Sequence, residues 1–410
     1  MLSFVYAVLL AASSVAAATT TTTTSAATTA STAYSSVFAV PSIFTPYVST
    51  NPKLETSPET GASYTVKTIK GYGEMEYYAS TWKIYRDGGG SCSFSNRTMW
   101  LFNDANAYTI SGDVFAGAAS NSMSIATSFD HPGSLKDLTI SSAVGYFPAT
   151  PWWGTEESQY ATSPSHRYAL WTYTNCVQLS STSAAHFFLV NKFSSATSSK
   201  QYGNTMVLYS MNESTGKITV TRPMQYAFQN TSYPYGSFAN VVVNGYAYLF
   251  GLDRLYSTNL DVHLAQVSTT SISDLAKYRY WNAETQAYET TLPVPTARRK
   301  AAAVIQSSIA FSTGTVFFSE YHNAFVLIYF SSYEDSTFRL IRSPSPLGPW
   351  NTTSITLYKT KVGTAYSYGG LAHPQFYQSV AGIAGKEVML HYSYQTSSGT
   401  YPKAVTITFA

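Results

Sequence analysis

The chain has 410 residues, of which 11% are charged, with a net charge of +3, 34 Tyr, 7 Trp and only two Cys. Charge that sparse, against roughly 25% in ordinary globular domains, and with no Lys/Arg stripe, excludes a nucleic-acid binder. It suits a neutral ligand instead. Tyr and Trp rings stack on the apolar faces of sugar rings, although most of so many Tyr must simply build a β core.

Met1 to Ala18 reads as a secretory signal peptide. An apolar run from Phe4 to Leu10 leads into small residues and an A-x-A-like stop at Ala16 or Ala18, without a charged n-region. The segment is too short to span a membrane, and Val405–Ala410 carries no anchor signal. A secreted, extracellular protein off the membrane is therefore expected, acting as a monomer. Thr19 to Thr32 is almost only Thr, Ser and Ala. Residues 19–36 are expected to form a disordered, O-glycosylated linker, because such a tract cannot bury a core. Residues 37–410 then form one domain.

The first element with chemical content is Arg86-Asp87-Gly88-Gly89-Gly90 through Trp100-Leu101-Phe102-Asn103-Asp104. It reads as a β-hairpin about the polar turn Ser95-Asn96-Arg97. Residues equidistant from a hairpin turn face one another, so Asp87 and Asp104 should meet at its open end. Cross-strand Cβ atoms stand about 5 Å apart. Two carboxyls that close raise the pKa of one of them, which is what an acid/base pair requires. The plainer alternative is two aspartates capping strand ends.

Further hairpins resemble the first, each with a strongly apolar strand. They are Thr172–Asn191, Ala239–Gly251 around Asn244-Gly245, Thr313–Phe330 and Pro374–Tyr392. Asn-Gly between apolar runs is a type I′ turn signal. About seventy residues per unit is what a four-stranded blade with loops needs, and radial repetition hides sheet edges. The pattern predicts an all-β, five-bladed β-propeller, with a large β-sandwich as the alternative. The only helical signal is one short turn within Ser271–Trp281. Applied to each unit, the hairpin symmetry places Trp171 and Lys192, Phe238, Asp253 and Arg254, Ser312 and Tyr333, and His373 and Tyr394 on the pocket face.

Cys92 and Cys176, an even pair in an oxidising compartment, are expected to form a disulfide between units one and two. Sequons stand at Asn96, Asn212, Asn230 and Asn351. Glu156 and Glu157 follow Trp152-Trp153-Gly154, as a sugar platform or a half-buried loop anchor. Glu334 and Asp335 read as solvated turn acids. No phosphate loop, Gly-x-Ser-x-Gly, His-Glu-x-x-His or calcium-loop pattern occurs.

The chain resembles a family of secreted five-bladed propellers, catalogued as a domain of unknown function, that includes bacterial endo-D-arabinanases. The likeness runs from about Gly71 to Phe409. It is carried by Arg86-Asp87-Gly88-Gly89, Trp100–Asp104, Asn121-Ser122, Val267 with Leu275 and Tyr278–Trp281, Ser343–Trp350, and His373-Pro374. Asn103 and Gln375 depart from the family pattern. The resemblance implies a glycoside hydrolase with Asp87 and Asp104 as the catalytic pair. Asn121, Trp171, Asp253, Arg254, His373 and Tyr394 are the substrate-binding candidates. The expected partner is a polysaccharide or oligosaccharide, with no metal and no organic cofactor. A noncatalytic glycan-binding propeller is the rival reading.

Overall fold

The computed structural model describes residues 34–36, 63–78, 82–94, 97–109, 115–126, 134–137, 150, 151, 153, 154, 157, 167–195, 198–253, 260–295, 300–306, 311–331, 335–360, 366–376, 384–396 and 399–410. The fold is all-β, with short 3-10 turns at Thr269–Ser271, Leu275–Lys277 and Lys300–Ala302, the second of them within Ser271–Trp281, where the sequence signals a helical turn. Among the described residues no helix is long and apolar enough to cross a membrane.

Sheet I holds Gly90–Phe94, Arg97–Phe102, Ser122–Ala126, Ser134–Asp137 and Glu76–Tyr78. Sheet II runs from Arg167–Trp171 and Val177–Ser180 outward through Ser183–Ser195, Ser198–Met211 and Ile218–Thr221. Tyr34–Ser36 pairs antiparallel along Ile218–Val220 at its edge. Sheet III starts at Ala239–Val243 and Tyr246–Leu252, and sheet IV at Phe311–Ser319 and Ala324–Ser331. Sheet V joins Ser367–His373, Glu387–Thr396 and Gly399–Phe409 to Val66–Glu74 from the other end of the chain. A small sheet of Trp82–Arg86, Ala105–Thr109 and Phe115–Ala119 stands beside sheets I and V.

The second strand of each sheet explains the apolar runs. In Ala324–Ser331, Phe325, Leu327 and Tyr329 pack against sheet III, while Val326, Ile328 and Phe330 pack against sheet V. Met99 and Leu101 likewise face sheet II, and Trp100 and Phe102 face sheet V. A strand covered on both faces has no polar side to show, so alternation disappears. Five such clusters join sheets I to II, II to III, III to IV, IV to V, and V back to I. The arrangement is radial, of propeller type.

A polar net ties the first strands together around the axis. Ser91 N–H donates to Asn175 Oδ1 at 2.9 Å, and Asn240 Nδ2 to the Asn175 carbonyl at 2.7 Å. Asn175 Nδ2 and Thr315 Oγ1 both donate to the Ala372 carbonyl, at 2.8 and 3.0 Å. Each of sheets I to V contributes one member, sheet II through the loop before Val177–Ser180. The Cys92–Cys176 disulfide, with Cα atoms 4.9 Å apart, links sheets I and II as expected.

Two hairpins differ from their sequence readings. The fifth pairs Ser367–His373 with Glu387–Thr396 rather than running from Pro374 to Tyr392. Its first strand carries Gly369-Gly370: Gly369 has φ +61°, and a Cβ on Gly370 would stand 2.5 Å from Phe330 and Phe338. In the second, Trp171 opposes Leu189, and Lys192 opposes Tyr168 with its ammonium 5.3 Å from that ring. The third keeps its Asn-Gly turn, at φ 50° and 76°, and in the fourth Thr313 faces Phe330 as read.

Candidate active site

The hairpin around Ser95-Asn96 does not open at the aspartates. Its register passes from Gly90↔Leu101 in sheet I to Arg86↔Ala105 in the small sheet without a slip. Asp87 and Asp104 are the opposed pair at the crossing: Asp87 N–H donates to the Asp104 carbonyl at 2.9 Å, and Asn103 N–H to the Asp87 carbonyl at 2.8 Å. The ladder bends here, which is what the three glycines permit. Gly88 has φ +59° and Gly89 φ +149°, and a Cβ on Gly90 would stand 2.1 Å from the Thr174 carbonyl. Asn103 is buried and exchanges two hydrogen bonds with the Thr172 backbone, at 3.1 and 2.6 Å, fixing the bend to sheet II.

The two carboxyls have unlike surroundings. Asp87 is pushed up to about 7, first by burial and then by the charge of Asp104, against a hydrogen bond with Tyr368 that pulls the other way. Asp104 receives the Arg167 guanidinium in fork geometry, at 3.2 and 3.1 Å, and Trp171 Nε1–H at 3.1 Å. Phe193 backs both donors: its ring lies 4.5 Å from the guanidinium carbon and 5.5 Å from the Trp171 ring. A planar fork on a carboxylate fixes direction as well as charge.

Beneath the pair runs a buried chain. Ser91 Oγ lies 2.7 Å from His373 Nδ1, and His373 Nε2 lies 2.7 Å from His391 Nδ1. Trp100 packs on both imidazoles at 4.4 and 5.4 Å. Burial and the neighbouring His391 hold His373 well below the ordinary imidazole range, and burial takes His391 down to about 4. Both rings are neutral near pH 7. His391 Nε2 is 3.0 Å from where a Cβ on Gly89 would stand, so the pair supports the floor of the bend.

The sequence-read candidates therefore separate. Trp171 touches Asp104. His373 lies at the far end of its strand, fully buried, in the chain just described rather than on the rim. Tyr394 is half-buried, with Lys403 Nζ 3.8 Å from its ring centre. Asn121 is buried and accepts from Thr150 N–H at 3.2 Å. Asp253 is buried where sheet III turns, its N–H donating to the Asp261 carbonyl at 2.9 Å. Arg254, Tyr333, Glu156, Trp152, Glu334 and Asn96 lie outside the described residues. Asn212 and Asn351 are exposed and Asn230 half-buried. Glu157 is a loop anchor, fully buried and paired with Arg222 at 2.5 and 3.0 Å. Asp335 is tied to Arg339 of the following strand, Thr337–Ser343, at 2.7 Å.

Arg167 and Tyr368 are members of the site that sequence reasoning missed. Arg167 opens the strand Arg167–Trp171, and a cation at the start of an apolar strand was its only signal. Tyr368 was hidden with its strand. Among the described residues no cluster of three His, Cys, Asp or Glu is placed to hold a metal.

No family model matches the chain, and no curated protein matches it. Solved structures do. A candidate hydrolase from Bacteroides ovatus is 15% identical, covering 85% of this chain and 93% of its own, with a TM-score of 0.55. A GH43_1 enzyme from Xanthomonas citri is 12% identical over 82% and 90%, TM-score 0.41. A subtype N11 neuraminidase-like protein of a flat-faced bat strain (H18N11) is 7% identical over 89% and 97%, TM-score 0.38. At such identities the first likeness speaks for the fold alone.

Proposed function

We propose that the chain is a secreted glycoside hydrolase built as a five-bladed β-propeller, cutting an arabinan-type polysaccharide with Asp87 as acid and Asp104 as its carboxylate partner. The single observation that carries this reading is the unlike setting of two opposed aspartates. A carboxyl raised to about 7 keeps its proton through the acidic range, so Asp87 is suited to protonate the leaving glycosidic oxygen. Asp104, against a guanidinium and an indole N–H, is set to attack the anomeric carbon or to activate water. In either case the glycosidic C–O bond breaks, its oxygen takes the Asp87 proton, and water supplies the new hydroxyl. The family resemblance supplies the sugar class, and the Bacteroides ovatus neighbour's description agrees with the reaction class. The signal sequence and the disulfide support secretion.

One observation favours the second reading, a noncatalytic glycan-binding propeller: Arg167 and Trp171 already engage both oxygens of Asp104. The experiment that separates the two is a screen of the purified protein and its Asp87→Asn variant on arabinans, galactans and fungal wall polysaccharides, scored by released oligosaccharide. Release by the wild type alone supports the hydrolase. Binding by both proteins without release supports the binding module.

A further inference from the structure

The continuous register of the hairpin sets the residues beyond the aspartates. Opposed residues share a face and the faces alternate, so the face that carries Asp87 and Asp104 continues in the small sheet as Tyr85↔Asn106 and then Lys83↔Tyr108. The opposite face turns inward, with Ile84, Arg86 and Ala105 buried. Tyr85, Asn106 and Tyr108 are all half-buried. The rings of Tyr85 and Tyr108 meet edge-on at 5.3 Å, and Tyr401 of sheet V meets Tyr85 at 5.0 Å. A Cβ on Gly399 would stand 2.7 Å from the Tyr85 ring, so the neighbouring strand has no side chain there and leaves that ring its place.

We infer that this tyrosine row is a binding platform for a neutral polysaccharide chain, running from the aspartate pair out along the small sheet. The inference rests on the hydrolase reading for what lies at its inner end. Each two-residue step along a strand is roughly 6–7 Å, so Tyr108 lies about 14 Å from the carboxyls, enough for two or three sugar units. Half-buried rings locked edge-to-face lose little freedom when a ligand arrives. Their hydroxyls and the Asn106 amide meet sugar hydroxyls, while their faces meet C–H groups. The row is one-sided, since the opposite flank of Asp104 is closed by Arg167, Trp171 and Phe193. A polymer therefore gains contacts that a short glycoside does not.

The test is native electrophoresis of the full chain in gels containing arabinan, galactan or laminarin, with turnover of short aryl glycosides measured in parallel. Wild type should be retarded by at least one of the three. Tyr85→Ala and Tyr108→Ala should weaken that retardation about tenfold, whereas Tyr85→Phe, which keeps the ring and its packing, should retain it. Turnover of short substrates should change less than about twofold in Tyr108→Ala, a site about 14 Å from the carboxyls. No retardation of the wild type in any gel, or unchanged retardation of both Ala variants, overturns the platform. Retardation without any hydrolysis leaves the platform standing and removes the hydrolase. Hydrolysis of aryl glycosides without retardation does the reverse.

Discussion

Asp87 and Asp104 oppose each other at the bend where one hairpin leaves sheet I for the small sheet with the same residue count on either side, Asp87 N–H donating to the Asp104 carbonyl at 2.9 Å. Both carboxyls thereby sit on the same face of a bend that three glycines and Asn103 hold in place. Asp→Asn keeps the shape and removes the proton chemistry. Either Asp87→Asn or Asp104→Asn should lower turnover at least about a hundredfold, the low end for losing an acid or base. Glycan affinity should stay within a few fold. Full turnover in either variant would end the two-carboxylate mechanism.

The raised pKa of Asp87 also makes a stability prediction. Its folded value of about 7 lies above the unfolded value, so the folded state holds a proton that the unfolded state has released. Stability due to this group is present below about pH 4 and is lost as pH rises to about 7. Asp87→Asn should therefore melt higher than wild type at pH 8, with the gap closing towards pH 4, while being inactive. Melting temperatures across that range decide it. A gap that does not grow with pH would mean that Asp87 is an ordinary surface carboxylate.

Much of the fold and half of the site were legible in the sequence, for reasons that particular residues show. Runs such as Val326–Phe330 announce strands covered on both faces, and Asn244-Gly245 announces its own turn. Symmetry about Ser95-Asn96 was enough to bring Asp87 opposite Asp104, because the residue count is the same in the two ladders that flank the bend. The same counting failed in the fifth hairpin, whose first strand is Ser367–His373 and not a strand starting at Pro374, so His373 faces Met389 and Tyr394 faces Ser367. That strand carries Gly369-Gly370, and the need for space at Gly370 against Phe330 and Phe338 is a tertiary fact with no local sign. The misplaced strand put His373 on the pocket face and hid Tyr368. Arg167 was missed for a similar reason: its partner Asp104 is 63 residues away on another sheet.

Removing one partner of the Glu157–Arg222 ion pair should cost more than breaking an exposed pair. Both side chains are buried, and Arg222 also donates to Thr205 Oγ1 at 2.8 Å and to the Gln225 carbonyl at 3.0 Å. Glu157 in turn accepts from Trp153 N–H at 2.9 Å. Removing one partner strands the other charge in the interior, at a cost of about 3–5 kcal/mol. Glu157→Gln should show that loss in urea unfolding, and Glu157→Leu combined with Arg222→Met should recover most of it. A single-variant loss below about 1 kcal/mol would class the pair with exposed ones.

The last prediction concerns stereochemistry. Directly opposed cross-strand positions keep their Cβ atoms about 4.5–5.5 Å apart. Carboxyl pairs about 5–5.5 Å apart act as acid and nucleophile with retention, whereas inverting pairs need about 6.5–9.5 Å to admit a water. The backbone pairing of Asp87 and Asp104 brings their carboxyls near enough for the charge of Asp104 to raise Asp87, and the closer class is the expectation, with Asp104 as the nucleophile that Arg167 aims. Proton NMR of the first product in D2O should thus show the anomeric configuration of the substrate. Asp104→Gly should then regain turnover on an activated aryl glycoside when azide is added, giving the glycosyl azide of opposite configuration, because the small anion takes the place of the missing carboxylate. An inverted first product from the wild type would instead make Asp104 a base acting through water.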